Sequence, residues 1–211
     1  MIKKNDFVKL EYTGKIKETG EVFDTTSKAV AEKANIADKE AVYGPVIVCL
    51  GAGHLLAGLD EQLMGKTVGK YTFELDQEHG FGKKDAKLLK LISTSKFKKD
   101  GVRPMIGLRV NIDNQIGIIK TVTGGRTIVD FNHPLSGKNL LYEVNVINQI
   151  TNPKEKIESV LKMELMVKEP NVKVEGLKAT IKFKLPEDIQ KPFKEIIMKV
   201  VPEIKEIVFV E

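Results

Sequence analysis

The chain has 211 residues, of which 42% are apolar and 30% are charged, and its formal net charge is +5. This length fits one large domain or two small ones, and the apolar share excludes a wholly disordered chain. The single cysteine, Cys49, excludes an internal disulfide framework and a zinc site built on cysteines. No run approaches the roughly 18 apolar residues of a membrane span, and no signal peptide follows Met1, so we expect a soluble, cytoplasmic protein.

The first part of the chain is predicted to be an antiparallel meander. Residues 7–12 alternate apolar and polar side chains, Thr13-Gly14 is expected to break the strand, and residues 15–17 and 22–24 resume the alternation. Residues 27–39 are rich in Ala, Lys and Glu, which fits either a helical turn or a surface loop.

A covered strand and a short helix follow. Residues 46–50 form a continuous apolar run, which is typical of a strand buried on both faces. Leucines at helical spacing then predict a helix over residues 54–64, which Gly65 would end, and residues 68–75 alternate again as a strand.

Residues 78–85 are rich in glycine and charge and predict a hinge into a separate module. Residues 85–130 carry nine basic and four acidic residues, which accounts for the whole positive excess of the chain. Strand patterns and two hairpin turns, at Asp113-Asn114 and Gly124-Gly125, predict a small β module. Its candidates for an exposed apolar surface, which would suit the capture of unfolded chains, are Leu89, Ile92, Phe97, Met105 and Ile106, and a buried small core is an equal alternative for any one of them.

The C-terminal part begins at a clear boundary. Residues 140–147 predict a strand, and Asn152-Pro153 predicts a helix start, because Asn caps helices and Pro suits the first helical position. The order that follows is helix, strand, strand, helix, strand, with the second helix interrupted near Pro192 and residues 207–210 as an edge strand. About 60 residues are marginal when folded alone, so this part is predicted either to form a homodimer or to dock on its own chain.

Side chains typical of catalytic or metal sites are scarce. His54, His79 and His133 lack the spacing of metal ligands and are interpreted as loop or surface histidines. Cys49 lies in an apolar run and is interpreted as a core residue. We therefore predict no metal site, and an enzyme with this sequence would act by shaping an apolar pocket.

Several motifs occur in the order found in one protein family. They are YTG at residues 12–14, GEVFDTT at 20–26, LGAGHLLAGLD at 50–60, GKTVGK at 65–70, EHGFG at 78–82 and DFNHPLSGKNL at 130–140. This pattern resembles the FKBP-type peptidyl-prolyl cis-trans isomerases, and the last motif resembles the branch that carries a chaperone domain inserted in the flap.

The resemblance implies an α+β fold in which an antiparallel sheet wraps on a short helix. Residues 1–85 and 131–152 would form this discontinuous isomerase domain, and residues 86–130 would form the inserted β domain. Residues 153–211 resemble the extra C-terminal α+β domain of the long archaeal members.

The resemblance also implies a prolyl pocket. Phe23, Leu59 and Phe81 would grip the proline ring, while Tyr12 and Asp24 would make polar contacts at the rim. The full predicted lining is Tyr12, Phe23, Asp24, Val46, Leu55, Leu56, Leu59, Phe81 and Tyr142. In addition, Leu89, Ile92 and Phe97 of the insert are predicted to bind the client chain.

Such a pocket has a physical rationale. An X–Pro bond crosses a barrier of about 18–20 kcal/mol because amide resonance must be broken. An apolar cavity penalises the polar planar amide more than the twisted transition state, and the Leu56 N–H would bind a substrate carbonyl. Leu59 stands where many members have Trp and Val46 where an aromatic residue is common, which predicts a less aromatic pocket. No cofactor is required.

Three functions are compared. The first is a prolyl isomerase acting on unfolded or partly folded proline-containing polypeptides, with chaperone activity from the insert. The second is a non-catalytic holdase or scaffold that uses an FKBP-like core only to hold peptides. The third is a nucleic-acid binder, supported by the basic middle segment. It is disfavoured because the chain has only three arginines, Arg103, Arg109 and Arg126, and lacks a basic stripe interleaved with aromatic residues. We therefore expect neither a nucleic-acid nor a membrane partner.

Overall fold

The structure, a computed structural model, describes residues 1–99 and 101–210. The chain divides into two compact units, one formed by Met1–His79 with the chain from Asn139 onward, and the other formed by Gly80–Lys138. Within the described ranges, no helix is both long and apolar enough to cross a bilayer. The mixture of antiparallel sheets and short helices confirms the predicted α+β class.

The elements are numbered in chain order. The strands are β1 (Phe7–Ile16), β2 (Val22–Thr25), β3 (Val46–Cys49), β4 (Gly69–Leu75), β5 (Leu89–Ser93), β6 (Arg109–Ile112), β7 (Gln115–Thr123), β8 (Arg126–Asp130), β9 (Leu140–Ile150), β10 (Asn171–Glu175), β11 (Lys178–Lys182) and β12 (Glu206–Val210). The helices are α1 (Lys28–Lys33), α2 (Ala57–Leu63), α3 (Thr94–Lys99), α4 (Pro153–Leu165) and α5 (Glu187–Val200), with a 3-10 turn at Ala86–Leu88.

The first unit is built on an antiparallel sheet centred on β1. Strand β1 pairs with β9 on one side, and β9 pairs with β4. On the other side, β3 pairs with the first part of β1 and β2 with the second part. The predicted break at Thr13-Gly14 is wrong, because both residues are paired with β2 and with β9. The register of the pairing between β1 and β2 shifts between Gly14 and Lys15.

Two short helices pack in the first unit. Helix α1 forms over part of residues 27–39, and the side chain of Ser27 accepts a hydrogen bond from the Val30 N–H at its start. Helix α2 begins at Ala57, three residues later than predicted, because residues 51–56 form a loop. Its end agrees with the prediction, since Gly65 follows with φ of +77°, a conformation that favours glycine.

The C-terminal segment has the predicted order of elements. The Asn152 side chain accepts from the Lys154 N–H at 2.9 Å, and Pro153 is the first residue of α4, as predicted. Helix α5 continues through Pro192, so the predicted interruption is wrong. Pro192 stands in the second turn of α5, and because proline has no N–H, the one backbone hydrogen bond that it would donate to the preceding turn is lost. Strand β12 pairs only with β11 in the sheet order β10-β11-β12, which confirms an edge strand.

The C-terminal segment packs on the first sheet through a shared core. Phe7, Cys49 and Ile150 of the sheet lie in one buried cluster with α4, α5 and the sheet β10–β12. Because side chains alternate along a strand, Val8 and Leu10 point to the opposite face, and both are fully buried. The sheet is therefore covered on both faces near β3, as the apolar run at residues 46–50 predicted.

The second unit contains an antiparallel sheet of order β5-β8-β7-β6 with helix α3. Its core is Phe97, Ile119 and Val129, against which Ile92 packs. Both predicted turns are present: Asp113 and Asn114 have φ of 52° and 62°, and Gly124 and Gly125 have φ of 54° and 80°. Positive φ at both central residues is characteristic of the type I′ turn, one of the two common turns in two-residue hairpins.

Candidate functional site

Three aromatic rings and one carboxylate of the first unit come together on β1, β2 and β9. The Tyr12 hydroxyl donates a hydrogen bond of 2.8 Å to Asp24 Oδ2. The Tyr142 ring lies 5.9 Å from the Tyr12 ring and 5.8 Å from the Phe23 ring between centroids, the second pair edge to face. The structure therefore brings together four of the predicted pocket residues, and we call these four the ring cluster.

Gly14 is what allows the ring cluster to close. A Cβ at this position would lie 2.7 Å from Phe23 Cζ, which is closer than Cβ atoms approach other atoms, and 3.0 Å from Tyr142 Cε1, which is tighter than most such contacts. Gly14 pairs with Asp24 on β2 and with Tyr142 on β9, so it lies at the centre of the cluster. Gly14 has no predicted role in the pocket, although a glycine inside a strand pattern often marks a close approach.

The hydroxyl groups of the cluster stay protonated at neutral pH. Burial raises the pKa of Tyr12 far above its ordinary value, and the nearby Asp24 carboxylate raises it further. Burial also raises the pKa of Tyr142. Since phenolate formation is suppressed, these groups can donate hydrogen bonds but cannot serve as bases near neutral pH. Asp24 is exposed, so its carboxylate is open to a ligand.

The predicted aliphatic residues lie on β3 and around the start of α2. Val46 pairs with Leu10 on β1. Leu55 and Leu56 are partly buried, and the Leu56 carbonyl accepts the N–H groups of Leu59 and Asp60, which fixes the start of α2. Leu59 is only 1% exposed, so its side chain is a core residue as well as a predicted pocket floor.

Two polar residues with no predicted role in the pocket hold the loop before α2. Asp60 Oδ2 accepts from the Gly51 N–H at 3.0 Å, and burial raises the pKa of this carboxyl group. His54 Nδ1 accepts from the Cys49 N–H at 2.9 Å, while Nε2 lies 3.3 Å from Glu164 on α4. His54 lies in a loop, as one of the two alternatives predicted, but its side chain is only 4% exposed, and both ring nitrogens of this buried side chain have partners. Cys49 is a core residue as predicted, and burial raises its pKa to about 11.

Phe81 belongs to the second unit. Its ring stacks on His133 at 4.6 Å between centroids, and its carbonyl accepts from the Ser136 hydroxyl at 3.0 Å. The motif that resembles the flap-insert signature therefore folds into one compact loop around Phe81. In the same loop Lys84 Nζ donates to Asp130 Oδ2 at 2.8 Å. Burial alone would raise the pKa of Asp130, but its bonds with Lys84 and Asn132 lower it to about 2.

The predicted client-binding residues of the insert are divided by the structure. Leu89 is 43% exposed, and Met105 and Ile106 are also exposed. Phe97 is buried and Ile92 packs against it, so these two side chains form the buried small core that the sequence left open as the alternative to an exposed surface. Their side chains fill the space between α3 and the sheet, which a small module needs in order to form any core.

Among the described residues, no three His, Cys, Asp or Glu side chains are grouped as ligands for a metal ion. The site as described thus consists of rings, a carboxylate and backbone groups. Such groups can desolvate an uncharged ligand and bind its polar atoms.

Two comparisons with known proteins concern these same residues. Residues 1–98 match the family model of FKBP-type peptidyl-prolyl cis-trans isomerases, and residues 90–135 match the model of the FKBP26 IF domain. A short-type peptidyl-prolyl cis-trans isomerase of Methanocaldococcus jannaschii is 32% identical over 147 residues, which are 69% of this chain and 92% of the relative.

Bacterial relatives share less of the chain. The FKBP-type 16 kDa peptidyl-prolyl cis-trans isomerase of Escherichia coli is 32% identical over 49% of this chain and 72% of its own. The FKBP-type isomerase SlyD of Vibrio cholerae is 30% identical over 55% of this chain and 60% of its own. Together with the two family models and the ring cluster, these likenesses show that the chain belongs to the FKBP-type peptidyl-prolyl cis-trans isomerase family.

Proposed function

We propose that the protein accelerates the cis–trans isomerisation of X–Pro bonds in folding polypeptides and that the ring cluster is its prolyl site. The observation that carries this proposal is the hydrogen bond from Tyr12 to Asp24 beside the rings of Phe23 and Tyr142. Leu55, Leu56, Leu59 and Val46 of the same unit are proposed to complete its lining, as the family resemblance implies.

The chemistry needs no covalent step. Planar amide resonance gives the ground state a larger dipole than the twisted transition state, so removing water from the amide penalises the ground state more. The rings of the cluster supply an apolar surface, and the Tyr12–Asp24 bond fixes a polar edge beside it. Asp24 is exposed and can therefore accept a hydrogen bond from the substrate chain.

A protease-coupled assay with a proline tetrapeptide tests this assignment. We expect catalysis by the wild type and a severalfold loss of kcat/KM in Tyr142→Phe, because the buried hydroxyl lies in the cluster. Tyr71→Phe is the matched control, since Tyr71 stacks on Phe73 on β4 and has no place in the cluster. If the wild type binds the peptide but its isomerisation rate equals that in buffer, the non-catalytic holdase is favoured instead. That alternative is supported by Leu59, which stands where many family members have Trp.

We further propose that the insert binds unfolded client chains through one face of its sheet. Leu91 pairs with Ile128, and Leu89 pairs with Asp130, which also pairs with Ile118. Directly paired residues point to the same side, opposite the core of Phe97 and Val129. Leu89, Leu91 and Ile116 on this face are 43%, 60% and 63% exposed. The exposed apolar side chains of this face, which lie beside the buried Asp130, support the chaperone proposal, rather than Phe97.

The division into domains at residues 85/86, 130/131 and 152/153 also belongs to this proposal. So do a cytoplasmic location and the absence of nucleic-acid and membrane partners. An archaeal source is expected on the same grounds as the resemblance to long archaeal members.

A homodimer through the C-terminal segment is proposed as well. Ile189 and Ile196 stand seven residues apart on α5 and are 43% and 44% exposed, so they form an apolar stripe. Truncation after Asn152 would expose the core around Phe7 and Ile150, so the test uses Ile189→Glu with Ile196→Glu in the full chain. Light scattering should show a dimer of the wild type at tens of micromolar and a monomer of the variant. A monomeric wild type would refute the dimer.

A further inference from the structure

The loop of residues 51–56, which joins β3 to α2 in the first unit, is held by two buried polar side chains. Asp60 Oδ2 accepts a hydrogen bond from the Gly51 N–H at 3.0 Å. His54 Nδ1 accepts one from the Cys49 N–H at 2.9 Å. Asp60 is 4% exposed, and the His54 side chain is also 4% exposed. Since burying a polar group costs free energy unless it is hydrogen-bonded, these two bonds favour one conformation of the loop.

The hydrogen bond at Nδ1 determines where the His54 ring carries its proton. A nitrogen that accepts from a backbone N–H has no proton, so the proton of the neutral ring is on Nε2. Nε2 lies 3.3 Å from Glu164 Oε1 on α4, so its N–H faces a carboxylate of the C-terminal segment. Ala52 in the same loop packs against the core that this segment shares with the first sheet. The loop therefore contacts the C-terminal segment through both an apolar and a polar side chain.

The contact with Glu164 adds little to the packing of the C-terminal segment. That segment packs through apolar side chains, and Ile157, Val160 and Leu161 of α4 are at most 1% exposed. The Glu164 side chain is 39% exposed, and an ionic contact with a partner this accessible contributes little to stability. Loss of the Glu164 carboxylate should therefore leave the fold intact, and its effect should fall on the loop that His54 holds.

His54 stands two residues before Leu56, whose N–H is the predicted donor to a substrate carbonyl. The Leu56 carbonyl accepts from the Leu59 N–H at 2.9 Å and from the Asp60 N–H at 3.0 Å, which fixes the end of the loop on α2. On the other side of Leu56, the path of the chain depends on the position of His54. A donor stabilises a transition state only at hydrogen-bond distance, and a displacement of about 1 Å can cost about 100-fold in rate.

We propose that His54 is a positioning residue for the prolyl site and that Glu164 influences isomerisation through it. The inference rests on the proposed function, because it takes the Leu56 N–H as part of the site. It gives the C-terminal segment a role in activity besides the proposed dimer. Helix α4 would hold the loop in the conformation in which this N–H can bind a substrate carbonyl.

The kcat and KM of the full chain on a proline tetrapeptide test this role. We expect Glu164→Ala to lower kcat/KM about three- to tenfold, mainly through kcat, because a misplaced donor weakens transition-state binding. Its Tm should change by less than about 2 °C. Glu164→Gln keeps an acceptor oxygen for the Nε2–H and should stay close to the wild type. Glu158→Ala is the matched control, since it removes an ion pair of 3.6 Å with Lys154 on the same helix, and it should not change kcat/KM.

His54→Asn tests whether Glu164 acts through the ring. The side-chain oxygen of Asn can replace Nδ1 and accept from the Cys49 N–H, but Asn has no atom in the place of Nε2. This variant should lose as much activity as Glu164→Ala, and the double variant should lose no more than either single variant. Additive losses would overturn the proposed coupling. If His54→Asn does not fold, the contrast between Glu164→Ala and Glu164→Gln still decides.

The results separate the failure of this inference from the failure of the isomerase function. Wild-type kcat/KM in Glu164→Ala would overturn the positioning role and leave the isomerase function intact. So would equal losses in Glu164→Ala and Glu164→Gln, or a loss that accompanies a fall in Tm of about 5 °C or more. Absence of turnover in the wild type would refute the isomerase function and this inference with it.

Discussion

Gly14→Ala perturbs the ring cluster with a single methyl group. The new Cβ would lie 2.7 Å from Phe23 Cζ and 3.0 Å from Tyr142 Cε1, whereas ordinary contacts begin near 3.4 Å. The rings must therefore move by several tenths of an ångström. Overpacking of this kind costs about 1–3 kcal/mol. The lower entropy of the unfolded alanine chain returns about 0.4–1 kcal/mol, so a net loss of about 1–2 kcal/mol remains.

This loss should appear together with a loss of activity. For a chain of this size, the expected fall in Tm is about 2–8 °C. Displacement of two pocket rings should lower kcat/KM on a proline tetrapeptide by about tenfold or more. The double variant Gly14→Ala with Phe23→Leu makes room for the methyl group, so it should regain stability without regaining activity. A single Gly14→Ala variant with unchanged Tm and unchanged kcat/KM would refute the described packing.

Two further predictions concern the second unit. The pKa of Asp130 is lowered from its ordinary value of 3.8 to about 2, so its ionisation stabilises the folded state by on the order of 2 kcal/mol above pH 4, and this stabilisation is lost as the pH falls toward 2. In Lys84→Met, acid unfolding followed by circular dichroism should begin at a higher pH than in the wild type. An identical acid transition in the two proteins would contradict this. Leu91→Lys with Ile116→Lys should reduce the refolding yield of a proline-limited client protein severalfold and leave the tetrapeptide rate within twofold. Gln115→Lys, at the exposed first residue of β7, should change neither; equal losses on both substrates in the double variant would mean that the face only supports the fold.

The parts of the fold that the sequence predicted are those governed by local patterns. Alternation of apolar and polar side chains predicted the strands. The turns at Asp113-Asn114 and Gly124-Gly125 were predicted because Asn, Asp and Gly tolerate positive φ. Asn152 and Pro153 marked the start of α4 because capping is a property of adjacent residues. The family was also recognisable from the sequence, because each of its motifs is a short local pattern.

The sequence predicted the structure less well where contacts between residues distant in the chain determine a residue's position. Thr13-Gly14 resembles a turn locally, but pairing on both sides keeps it in β1 and places Gly14 under the rings. Phe97 lies among lysines in the sequence, yet it is the largest of the three buried side chains in the core of its module. His54 bridges β3 and α4, and no local pattern reports that the C-terminal segment packs on the first sheet.

The central claim is that the ring cluster is where proline isomerisation occurs. Exchange NMR on a proline peptide measures the isomerisation rate directly, with wild type, Phe23→Ala and Asp24→Ala at equal concentration and with circular dichroism to verify folding. The account predicts catalysed exchange by the wild type and at least a tenfold reduction in the folded Phe23→Ala variant, with a smaller reduction in Asp24→Ala. Exchange at the wild-type rate in both folded variants would contradict it.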